Sequence, residues 1–445
     1  MKLKQRPEDF SVTESWRFDD DPRGEWFVYL MDKQKLSTFD AVDRICKTQG
    51  VQPADVSYCG LKDKQGRTTQ LVAVRRKQVS VQDPDLRLKP LGRSAAPLSA
   101  ENTTSNRFAV TVRDLSEEDV ARLPASVAEV QSVGVVNYFD SQRFGSLKHG
   151  QGFIIKDLMR GDFELALKNV LAHPSPLDQS DDARVKQFWK EHWGEWQLKN
   201  PYPGAEKYAP VIRWIRLHPE DFLGAMLRTE PRWRAMQVFA YQSWLWNEGV
   251  KQYLRDAVGI TRLLPVKYQA GTLLFPQSLD AAQARAFRHA TFPLLAPETR
   301  VDDPLVKRAA LSVLGREDMT LSSLAVPGAP QIHFDPEERP LFSSPGKLVV
   351  SEPARDEMNK GRLRVNVAFT LPPGAYATLV VKRLFHWTLA PPAVRRAREA
   401  AAAPPRPTPM ERHQEKKESG FLARQKQKKA AKAASRAVKG KAAKR

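Results

Sequence analysis

Cysteine is nearly absent: the chain of 445 residues has two, Cys46 and Cys59. They stand thirteen residues apart without metal-ligand spacing, which argues against a disulfide framework and a zinc site and suits a reducing, cytoplasmic compartment. No histidine neighbours Cys59, so it reads as a small buried hydrophobe rather than a nucleophile. Long apolar runs are also missing: no stretch reaches eighteen residues, so no membrane-spanning helix is expected. The start, Met1-Lys2-Leu3-Lys4-Gln5-Arg6-Pro7, is basic but has no apolar core for a secretory signal. The βαβ regularity and glycine-rich phosphate turns of a dinucleotide fold do not occur either.

Acidic residues are outnumbered. Lys+Arg total 71 against 51 Asp+Glu, a net charge of +20. The excess is uneven. Residues 394–445 hold seventeen Lys+Arg and four Glu, a charge of +13, which leaves +7 for the preceding 393 residues. This tail is rich in Ala, Lys, Pro and Gln, with little apolar beyond Phe421 and Leu422. It cannot bury enough surface to offset its ordering entropy, and it is expected to be disordered and able to meet nucleic-acid phosphates. Apolar content of 41% and ten tryptophans predict folded domains, two or three for this length, ahead of it.

Before residue 148 the pattern is mostly that of strands. Phe10–Glu14 and Glu25–Leu30 alternate apolar and polar residues around Asp21-Pro22-Arg23-Gly24, which predicts a β-hairpin. Ser37 caps a predicted helix with Phe39, Val42, Ile45 and Cys46 inward. Thr69–Val74 and Asn106–Arg113 read as strands, and residues 83–101, with Pro84, Pro90, Gly92 and Pro97, as a loop. From residues 148 to 340 helical patterns dominate, with Trp244 and Trp246 read as core. Strand character returns after 340 in Leu348–Val350, Val365–Phe369 and Thr378–Val381. The fold expected is α+β: a mixed or antiparallel sheet domain of residues 1–147 and 341–393, a mainly helical insertion at 148–340, and the basic tail.

Three stretches carry candidate chemistry. In Gly60-Leu61-Lys62-Asp63-Lys64 a lone carboxylate sits on a turn between two lysines. Flanking cations hold such a carboxylate ionised, ready as nucleophile or base, and a merely solvated surface turn is the bland alternative. In Asn137-Tyr138-Phe139-Asp140-Ser141-Gln142-Arg143-Phe144-Gly145, rings beside amides and arginine suit a nucleobase and its phosphate, with Tyr138 assigned to the core. In Leu371-Pro372-Pro373-Gly374-Ala375-Tyr376 the prolines and glycine aim the Tyr376 ring.

Together with Arg6-Pro7-Glu8-Asp9-Phe10 through Glu14, these stretches resemble the TruD family of tRNA pseudouridine synthases, in the family's order across residues 6–385. The resemblance implies a pseudouridine-synthase sheet with a family-specific insertion, no metal or cofactor, and tRNA as partner, with uridine 13 as the target. It implies that Asp63 is the catalytic aspartate, that Phe139 stacks on the base and that Asn137 orients the Asp63 loop. Tyr376, Lys62 and Glu14 fall at family-motif positions near the site, and Lys382 keeps a cation available to the nucleophile. An enzyme acting as a monomer is expected. The rival is a catalytically silent RNA-binding or ribosome-associated protein on the same fold, against which intact Asp63, Phe139 and Asn137 argue. Two departures stand out: Asp140 where the family commonly has glycine, and Arg383 where relatives often have glutamate.

Overall fold

The computed structural model describes residues 1–62, 64–149, 152–175 and 178–389. Asp63 and the tail 394–445 therefore lie outside the described residues. Met1–Pro391 form one compact unit.

Among the described residues, nine strands make its main sheet. Six come early: β1 (Phe10–Trp16), β2 (Trp26–Gln34), β3 (Val56–Tyr58), β4 (Arg67–Arg75), β5 (Leu86–Ser94) and β6 (Thr103–Leu115). Three come late: Gly346–Val350, Ala354–Arg355 and Leu363–Leu371. Leu363–Leu371 pairs with β6, β6 with β1, β1 with β4, β4 with β2, and β2 with the edge strand β5. Only β1 and β4 run parallel along this path. The fold is α+β with a mixed sheet.

The sheet corrects three sequence expectations. β1 and β2 are not a hairpin, because β4 lies between them, parallel to β1 and antiparallel to β2. Leu71, Val72, Ala73 and Val74 are all buried, and they serve two cores: Val72 and Val74 pack with Ile45 of helix α1 (Thr38–Gln49), Leu71 and Ala73 with Val28 and Leu98. A strand apolar on both faces is satisfied at a sheet's interior. The supposed loop 83–101 holds β5, whose Pro90 faces Tyr29 beside a register shift at the sheet edge, where a missing N–H is tolerated. Thr378–Val381 is not a strand but part of a helix, Ala377–Leu384. Ala377, Val380, Val381 and Leu384 share its buried face, a helical spacing that overrides the β-preference of the valines.

Helix α1 starts as predicted: the Ser37 side chain accepts from the Asp40 N–H and the Asp40 carboxylate accepts from the Ser37 N–H. Phe39, expected inward, is instead exposed, with the Arg232 guanidinium 3.9 Å from its ring centroid. The middle of the chain is mainly helical, as expected, and adds a hairpin, Leu263–Tyr268 with Gly271–Pro276. Its long helix, Pro231–Val258, buries Trp246. Among the described residues no helix is long and apolar enough to cross a membrane.

Candidate active site

A cavity of about 430 Å³ opens where β1, β6, the segment after Val136, the long helix and the Gly374 turn meet. Its walls include Phe10, Val12, Leu61, Lys62, Asn106, Phe139, Arg143, Arg339 and Tyr376. The volume is that of a small-molecule site.

The support behind the wall is built from Glu14 outward. Its carboxylate, without exposed surface, accepts from Lys62 Nζ at 2.5 Å, the Leu71 N–H at 2.9 Å and the Thr103 hydroxyl at 3.0 Å. Residues 60–62 are fixed twice more. Gln70 Nε2 donates to Gly60 O at 2.9 Å, and the Lys62 N–H donates to Thr38 Oγ1 at 3.0 Å. Thr38 Oγ1 in turn donates to Gln70 Oε1 at 3.0 Å, which closes the network. Both lysines flanking Asp63 in sequence are thus engaged with other carboxylates, Lys62 with Glu14 and Lys64 with Asp40 at 3.1 Å.

Phe139 is buried and held by its backbone. Its N–H donates to Asn247 Oδ1 at 2.9 Å, and Asn247 Nδ2 returns a bond to Phe139 O at 2.8 Å. Its ring meets Trp246 and Tyr376 edge to face, at 5.7 and 6.3 Å between centroids. Tyr376 precedes the C-terminal helix, Ala377–Leu384, which the single turn His386–Leu389 follows, and comes after Gly374 at φ +79°. Tyr138 is core, its hydroxyl donating to Leu274 O at 2.8 Å.

Asn137 is joined to a residue that sequence reasoning missed. Arg339 donates from Nε to Asn137 O and from Nη2 to Asn137 Oδ1, both at 2.9 Å, and from Nη2 to Gly374 O at 3.0 Å. Its guanidinium lies 4.2 Å from the Phe139 centroid, and burial pulls its pKa down to about 10. No local pattern in Glu337-Glu338-Arg339-Pro340 marks it out. It reaches the cavity because Glu337–Pro340 pairs with Thr291–Leu294 and is followed at once by Phe342–Ser343, the partner of Val135–Val136.

The two departures acquire structural roles. Asp140, buried, accepts from the Lys382 ammonium, the Thr378 hydroxyl and the Ser141 N–H, tying the turn after Phe139 to the C-terminal helix. Lys382 is therefore paired with Asp140. Arg383 is buried against Glu129 at 2.8 Å and donates to Pro276 O at 3.2 Å, joining helix Glu117–Val133 to the hairpin. Of the predicted site residues, the cavity wall brings together Lys62, Phe139 and Tyr376. Glu14, Asn137 and Lys382 stand behind it as supports.

A family model described as tRNA pseudouridine synthase D (TruD) matches residues 1–384. A Methanocaldococcus jannaschii protein named "Probable tRNA pseudouridine synthase D 2" is 31% identical over 392 residues, 86% of this chain and 92% of the relative. The tRNA pseudouridine synthase D of Aquifex aeolicus is 29% identical over 394 residues, 86% of this chain and 98% of its own length. The crystal structure of a Methanosarcina mazei TruD protein shares the fold at a TM-score of 0.65 and 23% identity, over 86% of this chain and 93% of that one.

Proposed function

From the premise that this chain belongs to the tRNA pseudouridine synthase D family and is an isomerase of uridine in tRNA, we propose that it converts uridine 13, with Asp63 as the catalytic aspartate. The observation that carries the reading is the anchoring of residues 60–62 to Gln70, Thr38 and Glu14. It sets Leu61 and Lys62 in the cavity wall immediately ahead of Asp63 in sequence.

In the reaction the N1–C1′ bond breaks, the base turns, and C1′ bonds to C5; C5 gives up its proton and N1 gains one. Whether the carboxylate attacks C1′ or C6, or takes a sugar proton, it must act ionised. The target base leaves its stack, and ring contacts offset that cost. Phe139 and Tyr376 supply those contacts. Lys62 and Glu14 hold the turn, Asn137 holds Arg339, and Lys382 acts through Asp140. Residues 1–147 with 341–393 form the catalytic part, and 148–340 the insertion. The enzyme works in the cytoplasm as a monomer on tRNA without a cofactor, a compartment that two buried free cysteines suit.

The test is to incubate the protein and its Asp63→Asn variant with bulk tRNA and map pseudouridine chemically. Wild type should modify uridine 13, and the variant should bind tRNA yet leave it unmodified. Near-wild-type turnover by the variant would overturn the catalytic assignment, and modification elsewhere would overturn the target.

A further inference from the structure

The cations around the cavity divide into two kinds. Lys62 and Lys382 are each neutralised by a buried carboxylate, Glu14 and Asp140. Arg143 and Arg339 are not. Among the described residues neither is ion-paired, and Arg339 donates only to neutral oxygens, through Nε and Nη2, which leaves Nη1 for a ligand. Yet both converge on one ring: their guanidinium carbons lie 5.6 Å and 4.2 Å from the Phe139 centroid. Arg339 also lies 5.5 Å from the Trp246 ring. Glu337, exposed at the cavity wall, and the positive charge of Arg143 both act on Arg339, in opposite senses.

Two like charges held close to one ring repel each other, and the attraction of the ring for each is modest. A bound anion removes that repulsion and engages the planar donor forks. Arg143 is exposed and Arg339 is half-buried, so the pair spans from the mouth of the cavity inward. A nucleotide whose base has turned into the cavity carries its phosphates at the mouth. We propose that Arg143 and Arg339 together clamp a backbone phosphate next to the flipped uridine, a reading that rests on uridine entering beside Phe139. The clamp sets how deeply the base sits against Phe139 and Tyr376, because Arg339 also holds the Asn137 and Gly374 carbonyls.

The experiment measures binding rather than turnover, so it is read even if Asp63 is not the catalytic residue. A tRNA transcript is ligated with a single neutral methylphosphonate either 5′ or 3′ of the uridine found by mapping. Wild type should bind one of these two RNAs roughly ten- to a hundred-fold more weakly than the all-phosphate RNA, the range of a hydrogen bond to a charged group. Arg143→Gln and Arg339→Gln should bind that RNA and the all-phosphate RNA alike. Arg143 is exposed, so its variant carries the test if Arg339→Gln does not fold. A wild type indifferent to both linkages overturns the clamp. So does a penalty that persists undiminished in the variants. In that second case a shifted pH profile of turnover in Arg339→Gln would mark the arginines as counterions of Asp63 instead.

Discussion

Glu14 shows how much of the site is held by one side chain. Both its oxygens are engaged, and its ion pair with Lys62 is almost fully enclosed, with the lysine side chain 10% exposed. Removing one partner of such a pair strands the other, so Glu14→Ala should cost about 3–5 kcal/mol of stability. Denaturant unfolding reads this, and the double variant Glu14→Gln/Lys62→Met should lose less than Glu14→Ala alone. Arg113 anchors the Arg6–Phe10 motif in the same manner, bonding Asp9 at 2.8 Å and Asp356 at 3.0 Å. Burial pushes the Asp356 carboxyl up, but hydrogen bonds from the Asp114 N–H, Asn359, the Met358 N–H and Arg113 hold it well below the ordinary range. A depressed carboxylate pKa stabilises the fold above the unfolded value, near 4, and that contribution is lost as the pH falls further. Stability should therefore decline steeply below about pH 4. Asp356→Asn should be less stable at neutral pH and show a flatter acid limb in the same unfolding titration.

At the scale of elements, the turn before the C-terminal helix couples fold to site. Gly374 lies at φ +79°, and an added Cβ would meet Arg339 Nη1 at 3.7 Å, an ordinary contact. The cost of Gly374→Ala is then conformational, roughly 1–2 kcal/mol for an L-residue in the left-handed region. A thermal melt should show it. Because the turn aims Tyr376 and its carbonyl holds Arg339, the variant should also raise KM for tRNA more than it lowers kcat. An unchanged KM would detach the turn from substrate binding. The C-terminal helix is fastened twice beyond its apolar face, by Lys382 to Asp140 and by Arg383 to Glu129.

At the scale of the whole molecule, charge is divided between a body of +7 and a tail of +13. Lysines and arginines that meet phosphates by charge alone read no base edges. Deleting residues 394–445 should leave kcat at saturating tRNA unchanged, raise KM, and flatten the salt dependence of binding, since fewer counterions are released. Binding at several salt concentrations, with mapping of modified sites, checks this. An unchanged salt slope would make the tail a bystander, and a changed set of modified uridines would make it a specificity element.

Local pattern by itself determined the start of α1 through its Ser37 and Asp40 cap, the strand of Asn106–Arg113 through strict alternation, and the core role of Tyr138. The family resemblance, rather than local pattern, named Lys62, Phe139 and Tyr376 as site residues, and these three share one cavity wall. Tertiary structure alone decided that β4 separates β1 from β2, since a strand's neighbours depend on which faces must be buried. It turned Thr378–Val381 into helix, because docking of an apolar stripe outweighs the preference of two valines. It also brought Arg339 to Asn137 across 202 residues. Spacing within a short stretch constrains only neighbours along the chain, whereas the position of half-buried Arg339 is set by pairing with a strand far away in sequence, Thr291–Leu294, and that pairing leaves no mark on Glu337-Glu338-Arg339-Pro340 itself.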